Sequence, residues 1–180
     1  FYRLPAEGRA RALVDLVIES LDPDDLGLRR DVERLEDVKA ARAQSADQYF
    51  SRVAEEWDRL RALHFPEAEI EAAVLEAAGE GPFDLALDFG TGTGRMLTLF
   101  AGRARRIEGI DLNHHMLTMA RANLRRAGAD NAGVRHGDAT HAPYPDGCAQ
   151  LVILHQVLHF LDEPQRALAD TVEHHVAQLL

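Results

Sequence analysis

The sequence has little cysteine and lysine and no long apolar run. Cys148 is the only cysteine among the 180 residues, which excludes a disulfide framework or a thiolate metal cluster within this chain and favours a reducing compartment. Lys39 is the only lysine, so nearly all basic residues are arginine. No apolar run approaches the ~20 residues that a membrane-spanning helix needs. We therefore expect a cytoplasmic protein with no membrane partner and no metal.

The charge balance limits the partners of this chain. Its formal net charge is −10, whereas binding to nucleic-acid phosphates requires a basic surface. Any contact with DNA would therefore come from a part of the protein that this chain does not contain. A hydrophobic content of 46% with 28% charged residues is typical of a globular protein. The length fits one ordinary domain with an appendage.

The second half of the chain alternates predicted strands and helices. The strands are "FDLALDF", "RIEGIDL", "AGVRHGD" and "CAQLVILH", and the last of these ends at His155. This alternation predicts an α/β fold with a doubly wound parallel sheet. Such sheets usually contain five or more strands, so we expect C-terminal strands that are missing from this chain. It stays open whether Asp170 and Thr171 are neighbours in the complete protein.

The first half is predicted to be mainly helical. A strand, "FYRLP", precedes a helix from Ala10 to Leu21, and a charged helix follows from Leu28 to about Ala43. The pattern Ser45-Ala-Asp-Gln48 predicts a capping box that opens another helix. That helix carries an aromatic face, which includes Tyr49 and Trp57 and which either packs in the core or forms a lid over a ligand. We predict three parts, with residues 1–25 and 26–65 preceding a ligand-binding domain at 66–180.

The stretch "LALDFGTGTGRM" places Gly90, Gly92 and Gly94 at alternate positions after a strand. Glycines here let the backbone turn and approach a ligand at the start of the next helix. The third glycine comes one place earlier than in the dinucleotide pattern G-x-G-x-x-G. Asp88 precedes the loop, and the loop has no basic residue before Arg95. These features favour a ligand with a cationic amino group over a pyrophosphate.

Two more acidic residues follow the next two strands. Asp111 ends the second strand, from where a carboxylate can accept both hydroxyls of a ribose. Asp138 follows the third strand and could accept a hydrogen bond from an exocyclic amine such as that of adenine. Three acidic side chains at successive strand ends predict one crevice. Its ligand would contain an amino group, a ribose and an aminopurine, without phosphate.

Four motifs, "LALDFGTGTG", "IEGIDLN", "HGDA" and "LVILHQVLHFLDEP", occur in the order found in class I S-adenosylmethionine-dependent methyltransferases, and the chain resembles that family from about Tyr49 to Asp170. The resemblance implies a Rossmann-like fold that binds S-adenosylmethionine or S-adenosylhomocysteine. It also implies that "YFSRVAEEWD", with Tyr49 and Trp57, covers the cofactor. The implied cofactor residues are Asp88, Gly90, Thr91, Gly92 and Gly94 at the methionine part, Asp111 at the ribose, Leu112, Asp138 and Ala139 at the adenine, and His155 near the methionine end.

The N-terminal portion resembles the region that joins an ArsR-type winged-helix module to a methyltransferase domain, a bacterial fusion. In that resemblance residues 1–25 are the end of the DNA-binding module, and 26–65 are linker and lid helices. The helix-turn-helix itself is not in this chain. The resemblance implies a homodimer that binds operator DNA through the absent module.

Two functions stay open at this point. The chain could methylate a small molecule, or it could sense S-adenosylmethionine or S-adenosylhomocysteine and control DNA binding. His155 or His159 could act as a general base towards the acceptor, whereas their spacing alone does not support a metal site. Arsenite methylation is disfavoured, because that chemistry needs several thiolates and Cys148 is the only cysteine.

Overall fold

The computed structural model describes residues 8–22, 25–54, 56–57, 66–161 and 163–174. The helices are α1 (Arg9–Glu19), α2 (Leu26–Val53), α3 (Glu67–Ala78), α4 (Arg95–Phe100), α5 (His114–Ala127) and α6 (Pro164–His174), and a short 3-10 helix spans Leu158–Phe160. The strands are β1 (Phe83–Phe89), β2 (Ala104–Asp111), β3 (Ala132–His136) and β4 (Leu151–Ile153). Within these residues no helix is both long enough and apolar enough to cross a membrane. The expected strand "FYRLP" lies outside the described residues.

The chain divides into two compact units, Phe1–Ala43 and Gln44–Leu180. The described part of the first unit consists of α1 and the beginning of α2. The carboxylate of Asp25 accepts hydrogen bonds from the backbone N–H groups of Gly27 and Leu28, which stabilises the start of α2. Both helices expose large apolar side chains, among them Leu13, Leu16, Val17, Val32 and Leu35. The predicted boundaries after residues 25 and 65 stay predictions.

Helix α2 corrects the prediction of two separate helices in this region. It runs without a break through Ser45, which is exposed in the helix interior and does not begin a new helix. The chain from Leu28 to Trp57 contains neither glycine nor proline, so no residue ends the first predicted helix before the expected cap. The capping-box pattern is therefore only a local resemblance here. Residues 58–65 of the predicted lid helix lie outside the described residues.

The sheet has the order β3-β2-β1-β4, and all its strand pairs are parallel. This arrangement confirms the predicted α/β fold. In the register of the pairs, Asp88 on β1 lies opposite Gly109 on β2, and Asp111 lies opposite His136 on β3. The carboxyl ends of the strands therefore meet at one edge. The chain passes from β3 to the far side of β1, so the strand order reverses between β1 and β4, where open α/β sheets bind ligands.

Apolar side chains fill both faces of the sheet, as expected for parallel strands that are covered on two sides. Residues of α3, α4 and α5 pack on one face together with Ala86, Ile107 and Leu151. The segment between β3 and β4 contributes Ala139, Ala142 and Ala149 to the other face, which also contains Leu87, Phe89 and Val152. The two clusters fix the strands, and with them the positions at which the strands end.

Helix α5 has a side-chain cap at its start and a glycine at its end. The side-chain oxygen of Asn113 accepts a hydrogen bond from the backbone N–H of Met116, and Gly128 has the left-handed conformation that ends many helices. Because α5 begins directly after β2, this cap also fixes the chain that follows Asp111.

The C-terminal part differs from the prediction at one site residue. β4 ends at Ile153, so His155 lies in the following loop and does not end the strand. The prediction extended the strand too far because β4 pairs with β1 only opposite Ala86 to Asp88, just before β1 enters its glycine loop. Helix α6 continues without a break through Asp170 and Thr171.

The continuity of α2 has a measurable consequence at Ser45. We expect Ser45→Ala to leave the free energy of unfolding unchanged or to raise it by up to ~0.5 kcal/mol, because alanine is the better residue in an exposed helix interior. If Ser45 capped a helix, the same change would lower the free energy of unfolding by about 1 kcal/mol. Asn113→Ala, which removes a true cap, is the comparison variant. Urea unfolding followed by circular dichroism decides between the two results.

Candidate functional site

Three acidic side chains lie at the carboxyl ends of the neighbouring strands β1, β2 and β3. Asp88 is the penultimate residue of β1, Asp111 ends β2, and Asp138 follows β3 by two residues. The backbone N–H of Gly137 donates to the carbonyl oxygen of Asp111 over 3.2 Å, which joins the segment before Asp138 to the end of β2. The structure thus brings the three predicted acidic residues to one edge of the sheet, beside the reversal of strand order.

Asp88 is a buried carboxyl group with a raised pKa. Its side chain is only 2% exposed, and its Oδ2 accepts a 2.6 Å hydrogen bond from the hydroxyl of Thr91. Burial raises the pKa of Asp88 to about 7, because it penalises the charged form more than the hydrogen bond from Thr91 stabilises it, and the nearby Asp111 adds to the increase. Near neutral pH a cation beside Asp88 would shift this group towards its carboxylate form.

Asp111 is held in place by two backbone N–H groups. Gly92 donates to its Oδ2 over 2.9 Å, and Asn113 donates to its Oδ1 over 2.8 Å. Burial nevertheless raises the pKa of Asp111, opposed by these two hydrogen bonds and by His136. Each carboxylate oxygen has a second lone pair, so this side chain can still accept one hydrogen bond at each oxygen. Two adjacent hydroxyls of a ribose match this remaining capacity.

The glycine loop is attached to the end of β2. The backbone N–H groups of Gly90 and Thr91 both donate to the carbonyl oxygen of Ile110 over 2.9 Å. A Cβ at Gly90 would lie 2.2 Å from Cγ2 of Val157, whereas a Cβ at Gly92 would meet no atom within 4 Å. Packing under the segment after β4 therefore requires glycine at position 90, and the open side of Gly92 lets a ligand approach the backbone.

The predicted adenine-side residues lie around the ends of β2 and β3. Leu112 is 53% exposed, so its side chain can pack on a flat ring. Asp138 is half-buried, and its Oδ1 accepts hydrogen bonds of 2.8 Å from the backbone N–H and the hydroxyl of Thr140. Ala139 is buried. Contacts of these residues with an adenine stay a prediction.

The predicted lid segment contacts the segment after β4 through an aromatic residue, Phe50. Phe50 packs edge-on against Tyr49, Trp57 and Phe160, with ring centroids 5.5, 5.3 and 4.8 Å away respectively. The end of α2 is thereby held at the edge of the sheet where the strands end. Covering of a bound cofactor by Tyr49 and Trp57 stays a prediction.

The two candidate histidines occupy different positions around this segment. His155 lies in the loop after β4, and His159 is exposed in the 3-10 helix with its ring 3.9 Å from that of Phe160. In the described part of the chain no three histidine, cysteine or acidic side chains are grouped so that they could hold a metal ion. A general-base role for either histidine stays a prediction.

Besides capping α5, Asn113 binds helix α2, and the sequence did not predict this contact. Its Nδ2 donates to the backbone oxygen of Asp47 over 3.0 Å, to Oδ1 of Asp47 over 2.8 Å and to Oγ of Ser51 over 3.0 Å. The one signal in the sequence is the residue type. An asparagine that caps a helix with its oxygen still has an NH2 group that can donate to another element, whereas serine has only one hydroxyl. The partners on α2, 62 and 66 residues earlier in the chain, carry no such signal.

Comparison with known proteins agrees with this geometry. Residues 87–173 match the family model described as a methyltransferase domain. This part of the chain therefore resembles a methyltransferase domain. The matched region begins within β1 and includes the glycine loop and the strand ends that carry Asp111 and Asp138.

The chain is similar to methyltransferases that act on different acceptors. The chain is 32% identical to the arsenite methyltransferase of Halobacterium salinarum over 97 residues, which are 52% of this chain and 25% of that protein. It is 33% identical to the malonyl-acyl-carrier protein O-methyltransferase of Geobacter sulfurreducens over 123 residues, which are 67% of this chain and 45% of that protein. The chain thus spans less than half the length of the curated relatives that it matches.

A solved structure shows the same fold. A SAM-dependent methyltransferase from Aquifex aeolicus superposes with a TM-score of 0.56 at 22% sequence identity, over 68% of this chain and 69% of that chain. The family match and the fold imply that this region binds S-adenosylmethionine or S-adenosylhomocysteine. The chemistry of the site fits such a ligand, because a buried carboxyl at Asp88 suits its amino group and the remaining acceptor capacity of Asp111 suits its ribose.

The buried carboxyl group of Asp88 makes stability depend on pH. From about pH 4 to about pH 7 the folded protein binds more protons at Asp88 than the unfolded chain does, so this group lowers the free energy of unfolding as the pH rises. Asp88→Asn is nearly isosteric and stays neutral. We expect it to raise the free energy of unfolding at pH 8 by roughly 1–2 kcal/mol and to flatten the pH dependence.

Denaturant unfolding at a series of pH values measures this effect. The control is Asp84→Asn, an exposed position on the same strand, which should change the free energy of unfolding by no more than about 0.5 kcal/mol. An Asp88→Asn variant whose free energy of unfolding falls between about pH 4 and about pH 7 as steeply as that of the wild type would contradict the raised pKa of Asp88.

Proposed function

We propose that this chain is the cofactor-binding part of a class I methyltransferase that transfers a methyl group from S-adenosylmethionine to a small molecule. The observation that carries the proposal is the pair of carboxyl groups at adjacent strand ends around a glycine loop, of which Asp88 is buried and Asp111 half-buried. In this proposal Asp88 and the loop from Gly90 to Gly94 hold the amino-acid part of the cofactor. Asp111 accepts both ribose hydroxyls.

The adenine would lie between Leu112 and the turn that contains Asp138 and Ala139. The exposed side chain of Leu112 supports this assignment, because a ligand ring would remove it from water. His155, in the loop after β4, would approach the methionine end. The end of α2 with Tyr49 and Trp57 would then exclude water from the bound cofactor.

S-adenosylmethionine, when bound, supplies an activated methyl group together with its leaving group. The residues of the chain therefore act mainly by binding and orientation, which align the methyl group with the acceptor. A proton acceptor is needed only for an acceptor that must lose a proton, and His155 or His159 would take that role. Arsenite is not favoured as the acceptor despite the similarity to an arsenite methyltransferase, because Cys148 is the only thiol in the chain.

A second candidate function is a sensor of S-adenosylmethionine or S-adenosylhomocysteine within an ArsR-type transcriptional regulator. Its support is helix α2, whose last turns contain Asp47 and Ser51, the residues that contact Asn113. Such a helix could transmit ligand occupancy to an attached winged-helix module that lies outside this chain and binds operator DNA. The exposed apolar side chains of α1 would support a homodimer, and a regulator of this kind would act in the cytoplasm.

Thermal unfolding tests the cofactor that both functions share. We expect saturating S-adenosylmethionine and S-adenosylhomocysteine each to raise the Tm by a few degrees, since a ligand at 100 times its Kd adds about 2.7 kcal/mol to the free energy of unfolding. NAD should leave the Tm unchanged, because a pyrophosphate would lie against the carboxyl of Asp88. Stabilisation by NAD alone would contradict the proposal.

The full-length protein separates the two functions. A methyltransferase forms S-adenosylhomocysteine when it is supplied with S-adenosylmethionine and an acceptor, whereas a sensor changes its affinity for operator DNA when either ligand is added. An unchanged DNA affinity with both ligands would exclude the sensor, because a ligand that does not distinguish two states cannot shift their equilibrium.

A further inference from the structure

The side-chain amide of Asn113 lies between α2 and α5, and both its oxygen and its nitrogen form hydrogen bonds. The side chain is 5% exposed. Oδ1 faces the backbone N–H of Met116, which can only donate, and Nδ2 faces the backbone carbonyl of Asp47, which can only accept. The amide orientation is therefore fixed by its partners rather than by choice between two equivalent flips.

The backbone of the same residue holds the ribose-binding candidate. Asn113 donates its N–H to Oδ1 of Asp111 over 2.8 Å, while its side chain binds Asp47 and Ser51 on α2. A displacement of the last turns of α2 would therefore break the side-chain contacts of Asn113, the residue whose backbone N–H binds the Asp111 carboxylate. A serine cap would share the backbone contact with Asp111 but would lack the amide donor.

The charges explain why this link should respond to a ligand. Asp47 lies close enough to raise the pKa of Asp111, although burial is the main cause of that increase. Docking of α2 thus brings the carboxylate of Asp47 towards that of Asp111. Hydrogen-bond donors from a ribose would stabilise the Asp111 carboxylate and offset this repulsion. The ring of Phe50, on the same turns of α2, packs against that of Phe160.

We propose that Asn113 is the positioning residue that couples docking of the α2 segment Asp47–Val53 to ligand binding at Asp111. The proposal rests on the proposed ribose contact of Asp111. Asn113 itself does not contact the reacting atoms. It connects α2 to the Asp111 carboxylate, so that docking of α2 favours ligand binding at Asp111. The coupling is reciprocal, so ligand binding equally favours docking of α2.

Two variants separate this role from the cap of α5. Asn113→Ser and Asn113→Asp both keep an oxygen that can accept the N–H of Met116. Serine lacks the amide donor, and aspartate places a carboxylate against the oxygens of Asp47 and Ser51. We expect the Kd for S-adenosylhomocysteine to rise about tenfold in Asn113→Ser, the effect of one lost hydrogen bond in a polar network, and further in Asn113→Asp.

Hydrogen exchange supplies the readout that a purely structural role would not change. In the wild type, saturating S-adenosylhomocysteine should slow amide exchange in residues 47–53. In Asn113→Ser this slowing should be much smaller, while the amide of Met116 stays protected. The double variant Asn113→Asp with Asp47→Asn exchanges the amide and the carboxylate, and it should recover part of the affinity that Asn113→Asp loses.

The outcomes distinguish the coupling from the proposed function. A wild-type protein that does not bind S-adenosylhomocysteine would overturn both. A wild type that binds it, together with an Asn113→Ser variant of equal affinity and equal ligand-dependent exchange in residues 47–53, would overturn the coupling alone. Loss of affinity with unprotected Met116 in Asn113→Ser would assign the effect to the helix cap and would also overturn the coupling.

Discussion

Desolvation of two neighbouring carboxyl groups is the constraint on which the site depends. Asp88 and Asp111 lie at the ends of adjacent strands, where burial raises the pKa of both groups and Asp111 further raises that of Asp88. The surrounding chain supplies donors for both, from the hydroxyl of Thr91 and the backbone N–H groups of Gly92 and Asn113. The pKa values of both groups stay raised despite these donors, and a ligand with a cationic amino group and a ribose would favour the carboxylate forms.

The last turns of α2 add a further charge to this pair of carboxyl groups. Its last turns bring Asp47 towards Asp111 and are held there by Asn113 on one side and by the rings of Phe50 and Phe160 on the other. Ligand binding and docking of this helix are therefore linked by charge as well as by packing. A methyltransferase would use the link to exclude water, and a sensor would use it to move a helix. The same arrangement of residues is therefore consistent with both proposed functions.

The fold and the strand-end acidic residues were predictable because they rest on local patterns. Alternating strands and helices, the glycine loop and the caps of α5 each occupy a short stretch. Three other features were not. Ser45 resembles a cap but lies inside α2, the strand before His155 ends early because its pairing with β1 is short, and the contacts of Asn113 join residues more than sixty positions apart. Such pairings depend on the tertiary structure, which a local pattern does not contain.

The most direct test of the central claim is a calorimetric titration of S-adenosylhomocysteine into the wild type and into Asp111→Ala. The account predicts binding to the wild type and a Kd about 5 to 150 times higher in the variant, because removal of the carboxylate leaves both ribose hydroxyls without their acceptor, at a cost of about 1–3 kcal/mol. An Asp111→Ala variant that folds and binds S-adenosylhomocysteine with wild-type affinity would contradict the account, since the ribose would then lie elsewhere.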